Sequence, residues 1–169
     1  QNAADLAHKK FADEKSEFSS YLKIWKWFED AIEHKKTNRQ LQENCRSNFL
    51  SQMRLREWRE VYSQLLTIVK EQGWRLNEAP ATYEQLHLAL LTGLLGNIGY
   101  KSEEDTHYLG ARGIKFYVWP GSYLAKKAGK WIMAAELVDT TRLYGRCLAQ
   151  IQPEWLEKVG GHLLKKSYG

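Results

Sequence analysis

Residues 114–138 read IKFYVWPGSYLAKKAGKWIMAAELV, and this stretch decides the fold. Polar and apolar side chains alternate over residues 114–119, which is typical of a half-buried β-strand. Pro120 and Gly121 end that strand, and a second apolar run follows at residues 131–138. Two strands joined by a lysine-rich loop therefore indicate β-structure in the C-terminal third of the chain.

Three further segments complete a set of five strand candidates. A third apolar run occupies residues 146–151 and stops before Pro153, while shorter pieces at residues 106–109 and 141–144 supply two more. Five strands within about fifty residues, with turns between them, favour a small closed barrel over a sandwich. An amphipathic segment at residues 154–165 then predicts a closing helix.

The first hundred residues have the period of helices instead. Residues 16–33 place apolar side chains three and four positions apart, and Ser16 is suitably placed to be the N-cap. Residues 50–69 repeat the pattern until Gly73 stops it. A shorter helix is expected within residues 4–11.

A third helical pattern follows a linker at residues 77–81. Thr82 and Gln85 fit a capping box, in which each side chain bonds the backbone of the other residue. The leucine-rich segment of residues 86–98 then predicts a helix with two glycines that would let another backbone approach. The polar stretch at residues 35–42 separates the first two helical patterns.

These patterns predict an α+β protein, with a helical domain at residues 1–105 and a five-stranded barrel plus C-terminal helix at residues 106–169. The net charge of +5 is distributed unevenly between these two regions. Residues 1–105 carry 15 Lys and Arg against 16 Asp and Glu, whereas residues 106–169 carry 10 against 4. The surplus is either solvated surface charge unevenly distributed or an electrostatic footprint for phosphate.

Catalytic motifs do not occur in this sequence. It has no phosphate-cradling glycine loop, no paired metal-binding histidines and no nucleophile elbow. Its adjacent carboxylates fall on polar helix faces or in turns, where solvated charge is the ordinary outcome. Cys45 and Cys147 have no Cys or His beside them at metal-ligand spacing, and we expect two reduced thiols. A non-catalytic chain with no metal and no cofactor of its own is expected.

Membrane association is not expected either. No run approaches the roughly 20 apolar residues that span a bilayer, and the first residues lack the features of a secretory signal. The sequence therefore predicts a cytoplasmic protein without a membrane partner.

Binding is the remaining kind of function. Basic and small residues gather in the predicted loops, and we expect them at one mouth of the barrel as a continuous groove for a polyanion. Glycines permit close approach, amides and hydroxyls donate to phosphate oxygens, and cations replace condensed counterions. Alternatively, the glycines only form turns and the lysines only solvate the rim. Tyr117 and Trp119 either offer stacking faces to bases or cover the helical domain.

Two groups of short motifs are distributed along nearly the whole chain. The first consists of DEKSEF at residues 13–18, LKIW at 22–25, NFLS at 48–51, REWR at 56–59 and LTGLL at 91–95. The second consists of YLGAR at residues 108–112, WPGS at 119–122 and WIMAAELVDTT at 131–141. The first group resembles the helicase-associated, ratchet-like helical domain of DEAH-box RNA helicases of the bacterial HrpA type. The second group resembles the C-terminal OB-fold of the same family.

The resemblance implies a role within a larger enzyme. It implies that two RecA-like domains and a winged helix accompany this chain, and that ATP and Mg bind in those motor domains. It further implies that the chain holds single-stranded RNA, or another single-stranded nucleic acid, while a 3′-to-5′ helicase moves along it. The alternative is a protein-interaction module that docks a regulatory partner or the motor domains.

Eight residues follow as candidates for RNA binding. By motif, the expected contacts to the RNA backbone are Arg112, Lys115, Ser122, Thr141 and Arg142. Charge alone adds Lys126, Lys127 and Lys130. Many eukaryotic relatives have His-Pro-Ser-Ser at the position of residues 119–122, so this chain offers the Gly121 amide in place of one hydroxyl.

Overall fold

A computed structural model of the chain describes residues 2–34 and 37–160. Within those ranges the chain divides into two compact units. The first unit lies within Gln1–Ala12 and Ser19–Pro80, and the second lies within Asp13–Phe18 and Ala81–Gly169. The predicted functional boundary between residues 105 and 106 stays a prediction.

Helices make up the N-terminal part of the described chain. They are α1 (Asn2–His8), α2 (Glu17–Glu33), α3 (Asn38–Ser47) and α4 (Gln52–Glu71). Phe28, Cys45 and Leu55 are buried together, so α2, α3 and α4 share one small core. The helices expected near residues 4–11, 16–33 and 50–69 are thus confirmed.

Local capping explains where α3 and α4 begin and end. Thr37 and Gln40 form a capping box at the start of α3, in the stretch for which the sequence pattern indicated no element. At the end of α4, Gly73 has a φ of 73° and its amide donates to the Lys70 carbonyl. Glycine adopts this left-handed conformation without a steric penalty, which confirms it as the stop signal.

Two helices belong to the second unit. The Thr82 and Gln85 capping box is present at the start of α5 (Tyr83–Leu91), as predicted. Helix α6 (Pro153–Gly160) begins at the proline, which is favoured at a first helical position because its missing N–H has no partner to lose there. The predicted continuation of this helix to residue 165 lies outside the described residues.

Five strands of the described chain close into a barrel. They are β1 (Ile98–Tyr100), β2 (Tyr108–Gly110), β3 (Lys115–Val118), β4 (Trp131–Asp139) and β5 (Leu143–Gln150). Their order around the barrel is β1-β2-β3-β5-β4, with β3 and β5 parallel and the other pairs antiparallel. The predicted α+β class and five-stranded barrel are confirmed.

The observed strands differ from the predicted strands in two places. The helix expected over residues 86–98 ends at Leu91, and Ile98 begins β1, because the glycines between them interrupt the helical backbone. The two strands expected at residues 141–144 and 146–151 are the single strand β5.

Phe116 fills the centre of the barrel with no exposed surface. Glycines face its ring, since a Cβ placed on Gly99 would lie 2.4 Å from the Phe116 Cζ atom. A Cβ on Gly145 would lie 3.1 Å from its Cε2 atom. The barrel therefore accommodates one large ring by leaving side chains off the strands around it.

Within the described ranges, no helix has the length and apolar character needed to cross a membrane.

Candidate nucleic-acid interface

The connections between strands leave the barrel alternately at its two ends. We call residues 101–107 and 119–130 the lysine end, because they connect β1 to β2 and β3 to β4. Residues 111–114 and 140–142 form the turn end, where β2 joins β3 and β4 joins β5. This alternation follows from the pairing directions, since each strand runs opposite to the one before it in sequence.

The predicted site residues are therefore divided between the two ends. Ser122, Lys126, Lys127 and Lys130 lie at the lysine end, while Arg112, Lys115, Thr141 and Arg142 lie at the turn end. The expectation that all of them surround one mouth of the barrel is wrong, because sequence clustering does not reveal which end a loop leaves.

The lysine end surrounds a cavity of about 340 Å³. Its charged lining consists of Lys101, Glu103, Lys126, Lys127 and Lys130, and the Ser102 and Thr106 side chains also line it. Lys130 Nζ lies 3.1 Å from a Glu103 carboxylate oxygen, although both side chains are largely exposed. Such a surface ion pair contributes little to stability, so the cavity keeps a positive balance of four lysines against one glutamate.

Hydrogen bonds made by Ser122 and by Tyr108 hold the lysine-rich loop in place. Ser122 Oγ accepts from the Leu124 amide at 3.1 Å, and the Ser122 amide donates to the Trp119 carbonyl at 3.0 Å. Its hydroxyl proton can still be donated to a ligand. Tyr108 donates its hydroxyl to the Gly129 carbonyl, and burial raises the pKa of Tyr108 to about 12.

The register of the sheet brings two of the four predicted residues of the turn end side by side. Tyr117 pairs with Tyr144 across β3 and β5, which places Lys115 level with Arg142. Arg112 is exposed and has a φ of 59° in the turn that precedes β3. Thr141 is exposed in the turn between β4 and β5.

The outer face of β3 and β5 joins the two ends. We call this surface the β3 strip, and it consists of Lys115, Tyr117, Trp119, Arg142, Tyr144 and Arg146. Lys115, Tyr117, Tyr144 and Arg146 share a face because successive strand residues point to opposite sides, and Phe116 points inward. Trp119 and Arg142 lie one residue beyond the ends of these strands and contact the same face at Tyr144 and Tyr117. Tyr117 also lines the cavity of the lysine end, so the strip and the cavity are continuous.

Arginines cover two aromatic rings of the β3 strip. Arg142 Cζ lies 4.6 Å from the centroid of the Tyr117 ring, and Arg146 Cζ lies 4.6 Å from that of Trp119. Tyr144 meets the Trp119 ring edge-on, with centroids 5.3 Å apart and planes at 84°. The strip therefore combines cations for phosphate with aromatic faces for bases.

Tyr144 and Arg146 were missed in the sequence, as was Lys101. The signal for the first two is the alternation Arg142-x-Tyr144-x-Arg146, which places all three on one face of a strand. This alternation was not recognised because the sequence pattern predicted two separate strands, at residues 141–144 and 146–151. Lys101 carried no motif, and only the folded barrel brings it to the cavity.

One buried pair has the chemistry of a nucleophile and its base. Ser16 Oγ lies 2.5 Å from His87 Nε2, and both side chains are fully buried. Burial lowers the pKa of His87, and its Nδ1 is bonded to the Tyr83 carbonyl. Because neither side chain reaches solvent, their hydrogen bond serves to hold α5 against the start of α2. No cluster of metal-binding side chains occurs in residues 2–34 or 37–160.

A closed five-stranded barrel with the strand order β1-β2-β3-β5-β4 is the OB-fold class of barrel. Residues 86–163 match the family model described as "Oligonucleotide/oligosaccharide-binding (OB)-fold". Along 168 residues, 99% of the chain, the sequence is 45% identical to the ATP-dependent RNA helicase HrpA homolog of Haemophilus influenzae. It is 44% identical over the same share to ATP-dependent RNA helicase HrpA of Escherichia coli.

More distant similarity reaches a eukaryote. A pre-mRNA-splicing factor ATP-dependent RNA helicase of Schizosaccharomyces pombe is 22% identical over 98% of the chain. The chain spans 13% of the length of each of the two bacterial relatives and 14% of the yeast protein. These matches confirm the resemblance found in the sequence motifs, because residues 86–163 match the OB-fold and nearly the whole chain is similar to RNA helicases named HrpA.

Proposed function

We propose that this chain is the RNA-holding, non-catalytic region of a cytoplasmic ATP-dependent helicase that moves 3′ to 5′. The observation that carries the proposal is the β3 strip, which connects a basic cavity at one barrel end with basic turns at the other. Its relatives are named ATP-dependent RNA helicases, which supports RNA as the ligand.

In this proposal the RNA lies along the outer face of β3. Phosphates contact Lys115 and Arg142 at the turn end, with Arg112 and Thr141 close by, and the lysines of the cavity at the other end. Contacts to the backbone carry little base information, so the grip tolerates any sequence and lets the strand slide. ATP and Mg bind in the RecA-like domains of the parent, which together with its winged helix are the intramolecular partners of this chain.

A binding titration of the chain tests the first half of the proposal. A labelled single-stranded oligouridylate is titrated at low salt against wild type and the double variant Lys115→Glu, Arg142→Glu. The control reverses Lys70 and Arg75, two exposed cations of the first unit. We expect the strip variant to lose binding and the control to keep it. Equal affinities for the three proteins would contradict the proposal.

The second half is tested in the parent helicase. The same two variants are introduced, and unwinding of a duplex with a 3′ single-stranded overhang is measured together with ATP hydrolysis in the absence of RNA. We expect the strip variant to slow unwinding while the RNA-independent hydrolysis stays at the wild-type rate. Unwinding at the wild-type rate would show that the strip does not hold the translocating strand.

Docking of the parent's motor domains is the second candidate, and α4 favours it. Val61, Leu65 and Ile68 fall three and four residues apart on that helix and are 52%, 56% and 50% exposed. An apolar stripe of this kind marks a protein contact, and a regulatory protein is the other possible occupant. Under this candidate, Leu65→Glu with Ile68→Glu impairs the parent helicase and leaves RNA binding by the chain unchanged.

A further inference from the structure

The two arginine-covered rings of the β3 strip have a further use. Exposed aromatic rings are natural platforms for unpaired bases, yet in the free protein Arg142 lies over Tyr117 and Arg146 lies over Trp119. The same arrangement occurs twice, on neighbouring positions of β3 and β5. A repeated arrangement on one face indicates two equivalent subsites.

Neither ring contact is firmly locked. Arg142 and Arg146 are both exposed and the rings that they cover are half-buried, so each guanidinium–ring contact is weakened by solvent. Glu136 of β4 is the cross-strand partner of Arg146 in the register of the sheet. A base stacked on an aromatic ring is the stronger interaction, and a phosphate offers an arginine charge-assisted hydrogen bonds.

The rings themselves are held in fixed positions. The Tyr144 ring contacts both: its centroid lies 5.3 Å from that of Trp119 and 6.4 Å from that of Tyr117. A cross-strand neighbour of this kind restricts ring rotation. Removing the arginines would therefore leave two oriented stacking platforms.

We propose that Tyr117 and Trp119 are stacking subsites for unpaired nucleobases of single-stranded RNA, and that each is covered by an arginine until RNA binds. On binding, the partners exchange: each guanidinium moves from the ring to a phosphate, and the ring accepts the base attached to that part of the strand. The inference rests on the proposed RNA-holding function and adds base stacking to it. Duplex RNA is discriminated against because its bases are already stacked and paired.

The proposed exchange is tested by separating the contribution of bases to the affinity from that of phosphates. Two ligands are titrated in parallel, a labelled oligouridylate and inorganic polyphosphate, which has phosphates and no bases. For Trp119→Ala we expect oligouridylate affinity to fall roughly tenfold or more, as for the loss of one stacked base, while polyphosphate affinity stays at the wild-type value. Trp119→Phe, which keeps a ring, restores most of the oligouridylate affinity.

Control variants make the result specific. Trp74→Ala removes a tryptophan of the first unit that is 65% exposed, and we expect it to change neither affinity. Arg146→Gln should weaken polyphosphate binding more than oligouridylate binding, because it removes a phosphate contact and uncovers a stacking ring. Thermal unfolding verifies that each variant folds, and Tyr117→Leu is the substitute test if Trp119→Ala does not fold.

The outcomes distinguish this inference from the proposed function. If Trp119→Ala and Tyr117→Leu leave both affinities unchanged, or reduce both equally, the stacking subsites are refuted while RNA binding stands. If the wild-type chain binds polyphosphate and fails to bind oligouridylate, or binds neither, the proposed function fails first.

Discussion

Salt dependence is the property that most directly reports phosphate contacts on the β3 strip. For a single strand, each contact contributes about −0.7 to the slope of log affinity against log salt concentration. Six cations border the proposed path, apart from Arg112 in its turn and Lys130 in its ion pair with Glu103. They are Lys101, Lys115, Lys126, Lys127, Arg142 and Arg146. If all six contact phosphates, the slope is about −4.2 and affinity falls roughly 300-fold between 50 and 200 mM salt.

Neutralising the turn end should make that slope shallower by a defined amount. Lys115→Gln with Arg142→Gln removes two contacts, so we expect a slope of about −2.8 and a loss of roughly 50-fold over the same salt range. The assay is fluorescence anisotropy of a labelled oligouridylate at four salt concentrations. The matched control is Lys70→Gln with Arg75→Gln. A slope equal in the strip variant and the wild type would refute the assignment of both residues to phosphate.

The remaining predictions concern folding and the helical unit. Gly99→Ala should destabilise the chain by about 1–3 kcal/mol in urea unfolding, because the methyl group would lie 2.4 Å from the nearest carbon of a buried ring. Gly96→Ala, with no atom within 4 Å of the added carbon, is its control, and an equal loss in both would contradict the packing explanation. Burial lowers the pKa of His87 from 6.5, so the unfolded chain takes up the proton first as the pH falls. Stability should be level above about pH 6.5 and fall below it. In His87→Gln the fall should be smaller, and an unchanged pH profile would show that His87 does not contribute. Leu65→Gln should change stability by less than about 0.5 kcal/mol, whereas Leu55→Ala should cost about 2–5 kcal/mol because Leu55 is only 5% exposed. A large loss for Leu65→Gln would mean that its face of α4 is already packed.

Local signals in the sequence were sufficient for most of the elements. The capping residues Thr82 and Gln85 begin α5 as predicted, since the motif needs only neighbours in the chain. The apolar run of residues 131–138 became β4 for a similar reason. The same kind of signal at Thr37 and Gln40 marks α3, which shows that a polar segment without an apolar period can still be a capped helix.

Non-local features were the ones that sequence patterns did not capture. Ile98 continues an apolar run with helical spacing, yet it pairs with Met133 as a strand, which only the closing of the barrel decides. Similarly, the eight candidate residues cluster in sequence while the topology sends them to two ends. What connects those ends is Tyr117, which was recognised in the sequence as a possible stacking residue and whose role as a bridge depends on three-dimensional packing.

Crosslinking of bound RNA would locate the strand on the barrel most directly. A 4-thiouridine oligonucleotide is bound to the chain at low salt, irradiated, and the modified peptides are identified by mass spectrometry. We expect crosslinks in residues 115–119 and 142–146, and fewer when excess unlabelled single strand competes. Crosslinks confined to the first unit, or to residues 153–160 of α6, would contradict the claim that RNA follows the outer face of β3.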